Sequence, residues 1–280
     1  MLVLFGHTDV PKRSGFLFVS VTYQFGHSST PSLTDSGGTM SILPALPQMI
    51  CFGDSLTQRG WSYDGGWLAI LADNFVRRID IIGRGYSGYN TRMCRQILPD
   101  LYPDRASVAL CRMFIIFLGA NDASKAEQHV PVDEYKENLK TMVSYLNGLG
   151  IPKDHIMLIS LPPVDEARWG SRHIAEGTPL DRELKNCPVY AAACEEVAVN
   201  QGLPCVNLFK AMIAQNDWIQ FFNDGLHFSR RGSEFLAQIL ISILNDVLSD
   251  CPVRLPDWRI VNKANPTMSF QQYKDEWLKT

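Results

Sequence analysis

Short apolar runs alternate with longer amphipathic segments from residue 48 onward. The apolar runs have the length and the β-branched and aromatic content of buried strands. They cover residues 49–52, 79–82, 108–118, 155–161 and 204–208. Apolar residues recur at helical spacing over residues 66–78, 91–98, 133–148, 181–201 and 232–248. Strands that alternate with helices predict an α/β fold, in which about five parallel strands carry helices on both faces.

Single residues set several of these boundaries. Asp133 is expected to cap its helix, Pro99 to end the preceding helix, and Pro188 to kink or break a helix over residues 181–201. The run 108–118 is the strongest candidate for a buried strand, although Arg112 interrupts it. We expect that arginine to shift the register of the strand by a residue or two.

The chain divides into three parts. Residues 1–47 include a Ser/Thr/Gly-rich stretch and are expected to form a disordered N-terminal extension, of which residues 1–39 are dispensable. Residues 48–250 contain all the predicted elements and are expected to form one domain. Residues 251–280 are polar apart from aromatic residues such as Trp258, and we expect them to form an arm packed on the domain.

Composition narrows the classes of partner and compartment. The chain is 46% apolar and 20% charged, as expected of a globular protein. A net charge of −3 gives no reason to expect nucleic acid as a partner, and no apolar run is long enough for a membrane span. The seven cysteines are scattered, with neither a Cys-x-x-Cys pair nor Cys/His spacing typical of zinc. Unpaired cysteines favour a reducing compartment, so we expect a cytoplasmic protein.

The segment Gly53-Asp54-Ser55-Leu56 places one serine between a predicted strand and a helix. Gly53 permits the sharp turn that such an exposed serine needs. Serine is a weak nucleophile unless a base, an orienting acid and oxyanion donors are nearby. Taken alone, Ser55 fits an N-cap serine better than a nucleophile.

Three further segments offer those partners. Asp224 and His227 are three residues apart before the last long helix, so the carboxylate can reach Nδ1 and leave Nε2 exposed. Asn121 follows the most buried strand and can offer its NH₂ group to an oxyanion, and Gly88 can offer a main-chain N–H. Each segment alone also fits an ordinary turn. Because loops at the carboxyl ends of parallel strands converge, we expect all four segments to form one cleft.

This ordered set resembles the GDSL family, also called SGNH hydrolases: Gly-Asp-Ser-Leu, then Gly88, then Gly-x-Asn-Asp, then Asp-x-x-His. The resemblance covers residues 48–250. It implies a three-layer α/β/α sandwich with a flavodoxin-like sheet of about five parallel strands. It also implies an ester hydrolase that needs neither a metal nor an organic cofactor.

The resemblance assigns a role to each residue. Ser55 is the nucleophile, and Asp224 and His227 complete the catalytic triad. The oxyanion hole is formed by the N–H groups of Ser55 and Gly88 and the side chain of Asn121. Its neighbour Asp122 is expected, from its position after the buried strand and not from the resemblance, to bind loop backbone.

Longer stretches are similar to the isoamyl acetate-hydrolysing esterases of this family, among them residues 84–91 and Asp257-Trp258-Arg259. This similarity implies a serine esterase that hydrolyses small, short-chain esters, especially acetates, through an acyl-enzyme. A carbohydrate or lipid acetylhydrolase with the same triad is the alternative, and a non-catalytic binding module is a third. Phe228 and Trp61 are candidates to line the pocket, with core packing the expected role of Trp61. The sequence leaves a homodimer open.

Overall fold

Five parallel strands form one sheet at the centre of the computed structural model, which describes residues 45–277. The strands are β1 (Gln48–Gly53), β2 (Asp80–Gly85), β3 (Cys111–Phe117), β4 (Ile156–Ile159) and β5 (Cys205–Val206). Their order across the sheet is β2-β1-β3-β4-β5. The chain therefore builds outwards from β1 to β2 and then crosses to the other side of β1. Such a reversal opens a crevice at the carboxyl ends of β1 and β3, where ligands bind in sheets of this kind.

Helices cover both faces of the sheet. They are α1 (Ser55–Gln58), α2 (Trp67–Asn74), α3 (Thr91–Leu101), α4 (Val132–Gly148), α5 (Glu166–Glu176), α6 (Cys187–Gln201), α7 (Leu208–Ile213), α8 (Arg230–Val247) and α9 (Pro266–Trp277). Helices α3, α4 and α6 pack side by side in one layer, and α2 packs against α8 in the other. The predicted three-layer α/β/α fold with a parallel five-stranded sheet is confirmed.

The three central strands are apolar throughout their inner portions because helices cover both of their faces. Residues Met49, Ile50, Cys51 and Phe52 of β1 and all of β4 are buried. Trp67, the first residue of α2, is fully buried and donates its indole N–H to the carbonyl of Leu56 at 2.9 Å. This bond ties the backbone directly after Ser55 to the packed core.

Arg112 shifts the register between β1 and β3 as predicted. Gln48 pairs with Cys111 but Met49 pairs with Met113, so one residue of β3 is left over at Arg112. Its guanidinium leaves the sheet and binds both carboxylate oxygens of Asp250 at 2.8 Å. An inserted residue of this kind is a β-bulge, and it lies at the end of the sheet remote from the crevice.

Two predicted helix boundaries were wrong by two or three residues. Helix α3 continues past Pro99 to Leu101, because the buried side chains of Leu98 and Tyr102 hold its last turn against the core. Pro131 occupies the N-cap position of helix α4 without a capping hydrogen bond, and Asp133 lies in the first turn. There the carboxylate faces the positive end of the helix dipole.

The segment from residue 181 to 201 was predicted to be helical with a kink or break at Pro188, and both the start of the helix and the kink were wrong. Helix α6 starts at Cys187, and Pro188 lies in its first turn, where proline needs no N–H and causes no kink. Before it, the main chain of Asp181 accepts hydrogen bonds from Lys125 N–H at 2.7 Å and from Ser124 Oγ at 3.2 Å. These tertiary bonds hold residues 181–183 out of the helix.

Other differences concern short elements. The predicted strand at 204–208 is only Cys205–Val206, because Asn207 caps α7 by accepting from the N–H of Lys210. Helices α5, α7 and α9 were not predicted. Among the described residues, no helix is long and apolar enough to cross a membrane.

The terminal parts were predicted separately. Residues 1–44 lie outside the described residues, so the prediction of a disordered extension stays a prediction. After α8, Arg78 donates to the carbonyls of Leu248 and Cys251, both at 2.8 Å, and Arg254 donates to the carbonyl of Ala45 at 2.7 Å. In the tail itself, Tyr273 donates to the carbonyl of Val253 at 2.9 Å.

Candidate active site

Ser55 lies at the first position of α1, directly beyond the carboxyl end of β1. Asp54 caps this short helix by accepting from the N–H of Leu56 at 2.8 Å. A Cβ at Gly53 would lie 2.3 Å from the carbonyl oxygen of Phe117 and 2.4 Å from Thr57 Oγ1. Only glycine therefore fits the turn that presents Ser55, and the first N–H of α1 has no acceptor within its own helix.

His227 and Asp224 join Ser55 in one hydrogen-bonded chain. His227 Nε2 lies 3.0 Å from Ser55 Oγ, and His227 Nδ1 lies 2.7 Å from Asp224 Oδ2. The other carboxylate oxygen accepts from the N–H groups of Leu226 at 3.0 Å and His227 at 2.7 Å. Partial burial raises the pKa of Asp224, but these hydrogen bonds outweigh it and hold the pKa well below its ordinary value. Asp224 is therefore ionised at neutral pH and favours a proton on Nδ1.

Helix α5 packs against the loop that carries His227. Gly225 has a φ of +96°, and its Cβ would lie 2.5 Å from the carbonyl oxygen of Asp165 and 2.6 Å from the nitrogen of Trp169. The ring of Trp169 meets the imidazole of His227 edge-on, with 6.1 Å between ring centroids. The imidazole is thus fixed by Asp224 on one side and by a buried aromatic ring on another.

Asn121 follows β3 and has both ends of its amide bound. Its Nδ2 donates to the carbonyl of Tyr89 at 2.8 Å, and its Oδ1 accepts from Arg182 Nη2 at 2.7 Å. The neighbouring Asp122 accepts from the main-chain N–H of Thr91 at 3.0 Å and from the Thr91 hydroxyl. The loops after β2 and β3 are therefore linked, and the expected structural role of Asp122 is observed.

Gly88 lies in the loop after β2 with a φ of +82°, which favours glycine. Its carbonyl accepts from Gln128 Nε2 at 2.7 Å. The preceding N–H, that of Ser87, donates to Gln58 Oε1 at 2.8 Å. Hydrogen bonds thus fix the backbone on both sides of the Gly88 N–H.

All the predicted site residues except Asp224 line one open cleft of about 260 Å³, and Asp224 lies behind His227. The cleft is more polar than expected. It is also lined by Ser87, Gln128, Trp169, His173, Glu176, Asp181, Arg182 and Leu226. The expected apolar lining by Phe228 and Trp61 was wrong. Phe228 stacks on Phe117, and Trp61 is 46% exposed rather than in the core.

Two buried carboxyl groups lie beneath the site. Burial, with a smaller contribution from the nearby Asp122 carboxylate, raises the pKa of Asp54 to about 7, although the hydrogen bond from the Leu56 N–H opposes this. Burial also raises the pKa of Asp122 to about 6, although hydrogen bonds from Thr91 oppose this. Asp54 Oδ2 has no hydrogen-bond partner among the described residues. Both carboxyl groups therefore exchange protons with solvent near neutral pH.

Comparison with known proteins identifies the family of this chain. The model of the GDSL-like lipase/acylhydrolase family matches residues 51–235, which run from β1 through the Asp224–His227 loop into α8. The chain belongs to this family. The predicted membership is confirmed, and with it the prediction of a hydrolase.

This GDSL-like hydrolase matches its relatives over nearly their whole lengths. A human isoamyl acetate-hydrolyzing esterase 1 homolog is 38% identical over 243 residues, which are 85% of this chain and 97% of the relative. A GDSL esterase/lipase of Arabidopsis thaliana is 33% identical over 242 residues, 81% of this chain and 98% of the relative. The solved lipase/acylhydrolase of Enterococcus faecalis, at 23% identity, shares the fold with a TM-score of 0.59 over 75% of this chain and 100% of that one.

Sequence reasoning missed several residues of the site in this GDSL-like hydrolase. Arg182, Gln128 and Trp169 all line the cleft, and none belongs to the four motifs. A signal for Arg182 was present, because Gly177 and Pro179 precede it and favour a loop over a helix. Nothing local marks Gln128 or Trp169 as site residues. Within residues 45–277, no group of three or more His, Cys, Asp or Glu side chains could hold a metal ion.

Proposed function

We propose that this protein is a serine esterase that hydrolyses short-chain esters, especially acetates, through an acyl-enzyme. The observation that carries the proposal is the 3.0 Å contact between Ser55 Oγ and His227 Nε2, whose Nδ1 in turn contacts the Asp224 carboxylate at 2.7 Å. This arrangement removes the serine proton as Oγ attacks a carbonyl carbon. The likeness to relatives named for isoamyl acetate supports the choice of a small ester.

The reaction follows from these contacts. His227 Nε2 accepts the Ser55 proton while Oγ bonds to the ester carbon, and Asp224 stabilises the imidazolium that forms. The imidazolium then gives its proton to the alkoxide of the leaving alcohol as the ester C–O bond breaks. Water attacks the resulting acyl-enzyme with His227 again as base, and Ser55 recovers its proton as the acid leaves.

The oxyanion of each tetrahedral intermediate needs donors. We propose the N–H groups of Ser55 and Gly88 and the second N–H of the Asn121 amide, the first being bound to Tyr89. All three residues line the same cleft, and neither main-chain N–H has a protein acceptor among the described residues. One such donor is typically worth on the order of 10²–10³ in rate.

The nucleophile is tested with Ser55→Ala and the matched variant Ser171→Ala, which removes an exposed hydroxyl on α5. We expect Ser55→Ala to abolish hydrolysis of p-nitrophenyl acetate and labelling by a fluorophosphonate, with an unchanged circular dichroism spectrum. Ser171→Ala should behave as wild type. Mass spectrometry should locate the adduct on Ser55, and full activity in Ser55→Ala would refute the mechanism. If folded wild-type protein neither hydrolyses esters nor takes up the probe, the binding-module alternative is correct.

Acyl and alcohol preference are tested with matched series. Rates on p-nitrophenyl esters should fall from the acetate to the octanoate, and a preference for octanoate would contradict the short-chain proposal. The polar lining of the cleft, including Gln128, His173 and Glu176, favours a second candidate, an acetylhydrolase acting on carbohydrates. A kcat/KM on acetylated xylose above that on isoamyl acetate would select it. Acetylated phospholipid, assayed in parallel, tests the lipid alternative.

We further propose that the enzyme works in the cytoplasm. The support is that all seven cysteines are free thiols, and five of them are buried. Free thiols persist in a reducing compartment. Fluorescence microscopy of the tagged full-length chain tests the proposal, and a signal confined to a secretory compartment would overturn it.

A further inference from the structure

We propose that Arg182 is a positioning residue that orients two oxyanion donors, Asn121 and Gly88, at the same time. The inference rests on the proposed function, because it assumes that these two groups bind an oxyanion. Among the described residues, Arg182 forms no hydrogen bond with Ser55 or His227, yet it lines the same cleft.

One nitrogen of the guanidinium contacts Asn121 directly and is connected to Gly88 through Gln128. Arg182 Nη2 donates to Asn121 Oδ1 at 2.7 Å and to Gln128 Oε1 at 2.7 Å. Gln128 in turn donates from Nε2 to the carbonyl of Gly88 at 2.7 Å. The fixed fork of an arginine side chain therefore connects the loop after β2 to the loop after β3.

This contact determines which way the Asn121 amide faces. With Oδ1 on Arg182, Nδ2 must face the carbonyl of Tyr89, and its second N–H is left for a substrate oxygen. A flipped amide would place NH₂ against the N–H groups of Arg182 and a carbonyl oxygen against the carbonyl of Tyr89. Both pairings are repulsive, and they would leave buried polar groups without hydrogen-bond partners, which disfavours the flipped amide.

Arg182 is itself held rigidly. Its side chain is 7% exposed, and the guanidinium lies over the ring of Trp169, 5.3 Å from the centroid. It pairs with the carboxylate of Asp181, whose Oδ1 accepts the indole N–H of Trp169 at 2.8 Å. Arg182 Nε donates to the carbonyl of Ala120 at 3.3 Å. A residue bound on so many sides is suited to hold other groups still.

Direct recognition of the substrate by Arg182 is the competing role. Both N–H groups of Nη2 are occupied by Asn121 and Gln128, and Asp181 balances the charge. An arginine that binds an anionic substrate would instead present a free bidentate edge to the cleft. The contacts therefore favour positioning over recognition.

The test uses Arg182→Lys, which keeps the charge but replaces the planar fork with a single point of attachment. We expect kcat on p-nitrophenyl acetate to fall by about 10–100-fold, less than the loss of a whole donor, with KM within about twofold of wild type. The Ki of a trifluoromethyl ketone, whose serine adduct carries an oxyanion, should rise by a similar factor. Loss of substrate recognition would instead raise KM and leave kcat unchanged, and that result would overturn the proposal.

The matched control is Arg112→Lys. Like Arg182, Arg112 pairs with an aspartate, which it binds through both carboxylate oxygens, but it lies at the opposite end of β3 from Asn121. Its kcat and its Ki for the ketone should equal those of wild type. Equal losses in both variants would show a general effect on stability rather than on positioning.

Gln128→Met separates the two branches and provides a second variant should Arg182→Lys fail to fold. It removes the link to Gly88 and leaves Arg182 and Asn121 in contact, so kcat should fall by less, about 3–10-fold, at constant KM. The double variant should lose little more than Arg182→Lys alone, because both changes cut one chain of contacts. The inference would be refuted if the two losses in kcat multiplied in the double variant, or if kcat were unchanged in both Gln128→Met and Arg182→Lys. An inactive wild type would instead refute the proposed function.

Discussion

Asp54→Asn should change how the stability of this protein depends on pH. Asp54 is 1% exposed, and within residues 45–277 only its Oδ1 has a hydrogen-bond partner, the N–H of Leu56. Asparagine keeps that cap but carries no charge. The substitution therefore removes a buried ionisable group next to the nucleophile without removing the hydrogen bond that begins α1.

The magnitude follows from linkage between protonation and folding. Burial raises the pKa of Asp54 to about 7 in the folded protein, whereas an unfolded aspartate titrates near 3.9. Between about pH 4 and pH 7 the folded state keeps a proton that the unfolded state has lost. Wild-type stability should therefore fall through this window by up to about 1.4 kcal/mol per pH unit, and this contribution is constant on either side of it. The total is on the order of 2–4 kcal/mol.

Urea unfolding followed by tryptophan fluorescence at pH 4, 5.5, 7 and 8 measures the effect. Asp54→Asn should have about the stability of wild type at pH 4 and should be more stable by about 2–4 kcal/mol at pH 8. Asp54→Ala separates charge from capping, since it should follow the asparagine curve about 1 kcal/mol lower at every pH. A difference between Asp54→Asn and wild type that stays constant with pH would refute the reasoning.

Three other substitutions test the site and the packing around it. Asp224→Asn should lower kcat by about 10³–10⁴ with little change in KM, because an amide N–H facing Nδ1 moves the imidazole proton to Nε2. Steady-state ester hydrolysis measures this, and a loss of kcat below tenfold would contradict it. Gly85→Ala should destabilise by on the order of 3 kcal/mol in urea, since its Cβ would lie 1.9 Å from the main-chain nitrogen of Gln58. Gly148→Ala should instead stabilise α4 by up to about 1 kcal/mol, because no other part of the described chain lies within 4 Å of its Cβ. Equal effects of the two alanines would rule out steric crowding at Gly85.

The four motifs could be predicted because their chemistry is local. Each lies where a strand ends or a long helix begins, and the parallel sheet brings these positions to one edge. The spacing of Asp224 and His227 already sets the hydrogen bond between them. Residue type and position along the chain were therefore sufficient to predict that Ser55, Gly88 and Asn121 would line one cleft. Their catalytic roles came from the family resemblance and stay predictions.

Arg182 could not be predicted in the same way. Its partner Asn121 is 61 residues away, and apolar spacing made residues 181–186 look like the start of α6. Helix α5 was missed for a related reason. Trp169 is the buried residue among its described side chains, because the helix covers the cleft rather than the core. Hydrophobic periodicity reports burial against a core, so it gives little signal for a helix that covers a site.

The bulge at Arg112 determines where this chain can tolerate a change in length. Beyond it, the pairs from Met49–Met113 to Gly53–Phe117 stay in step, so β1 and β3 deliver Ser55 and Asn121 to the crevice at one level. Deleting Arg112 would remove the surplus residue and leave those pairs unchanged. Deleting one residue between Phe114 and Phe117 would turn the following side chains to the opposite face and move Asn121 away from the serine. A change in length at the amino-terminal end of β3 should therefore leave the positions of Ser55 and Asn121, at the carboxyl ends of the strands, unchanged.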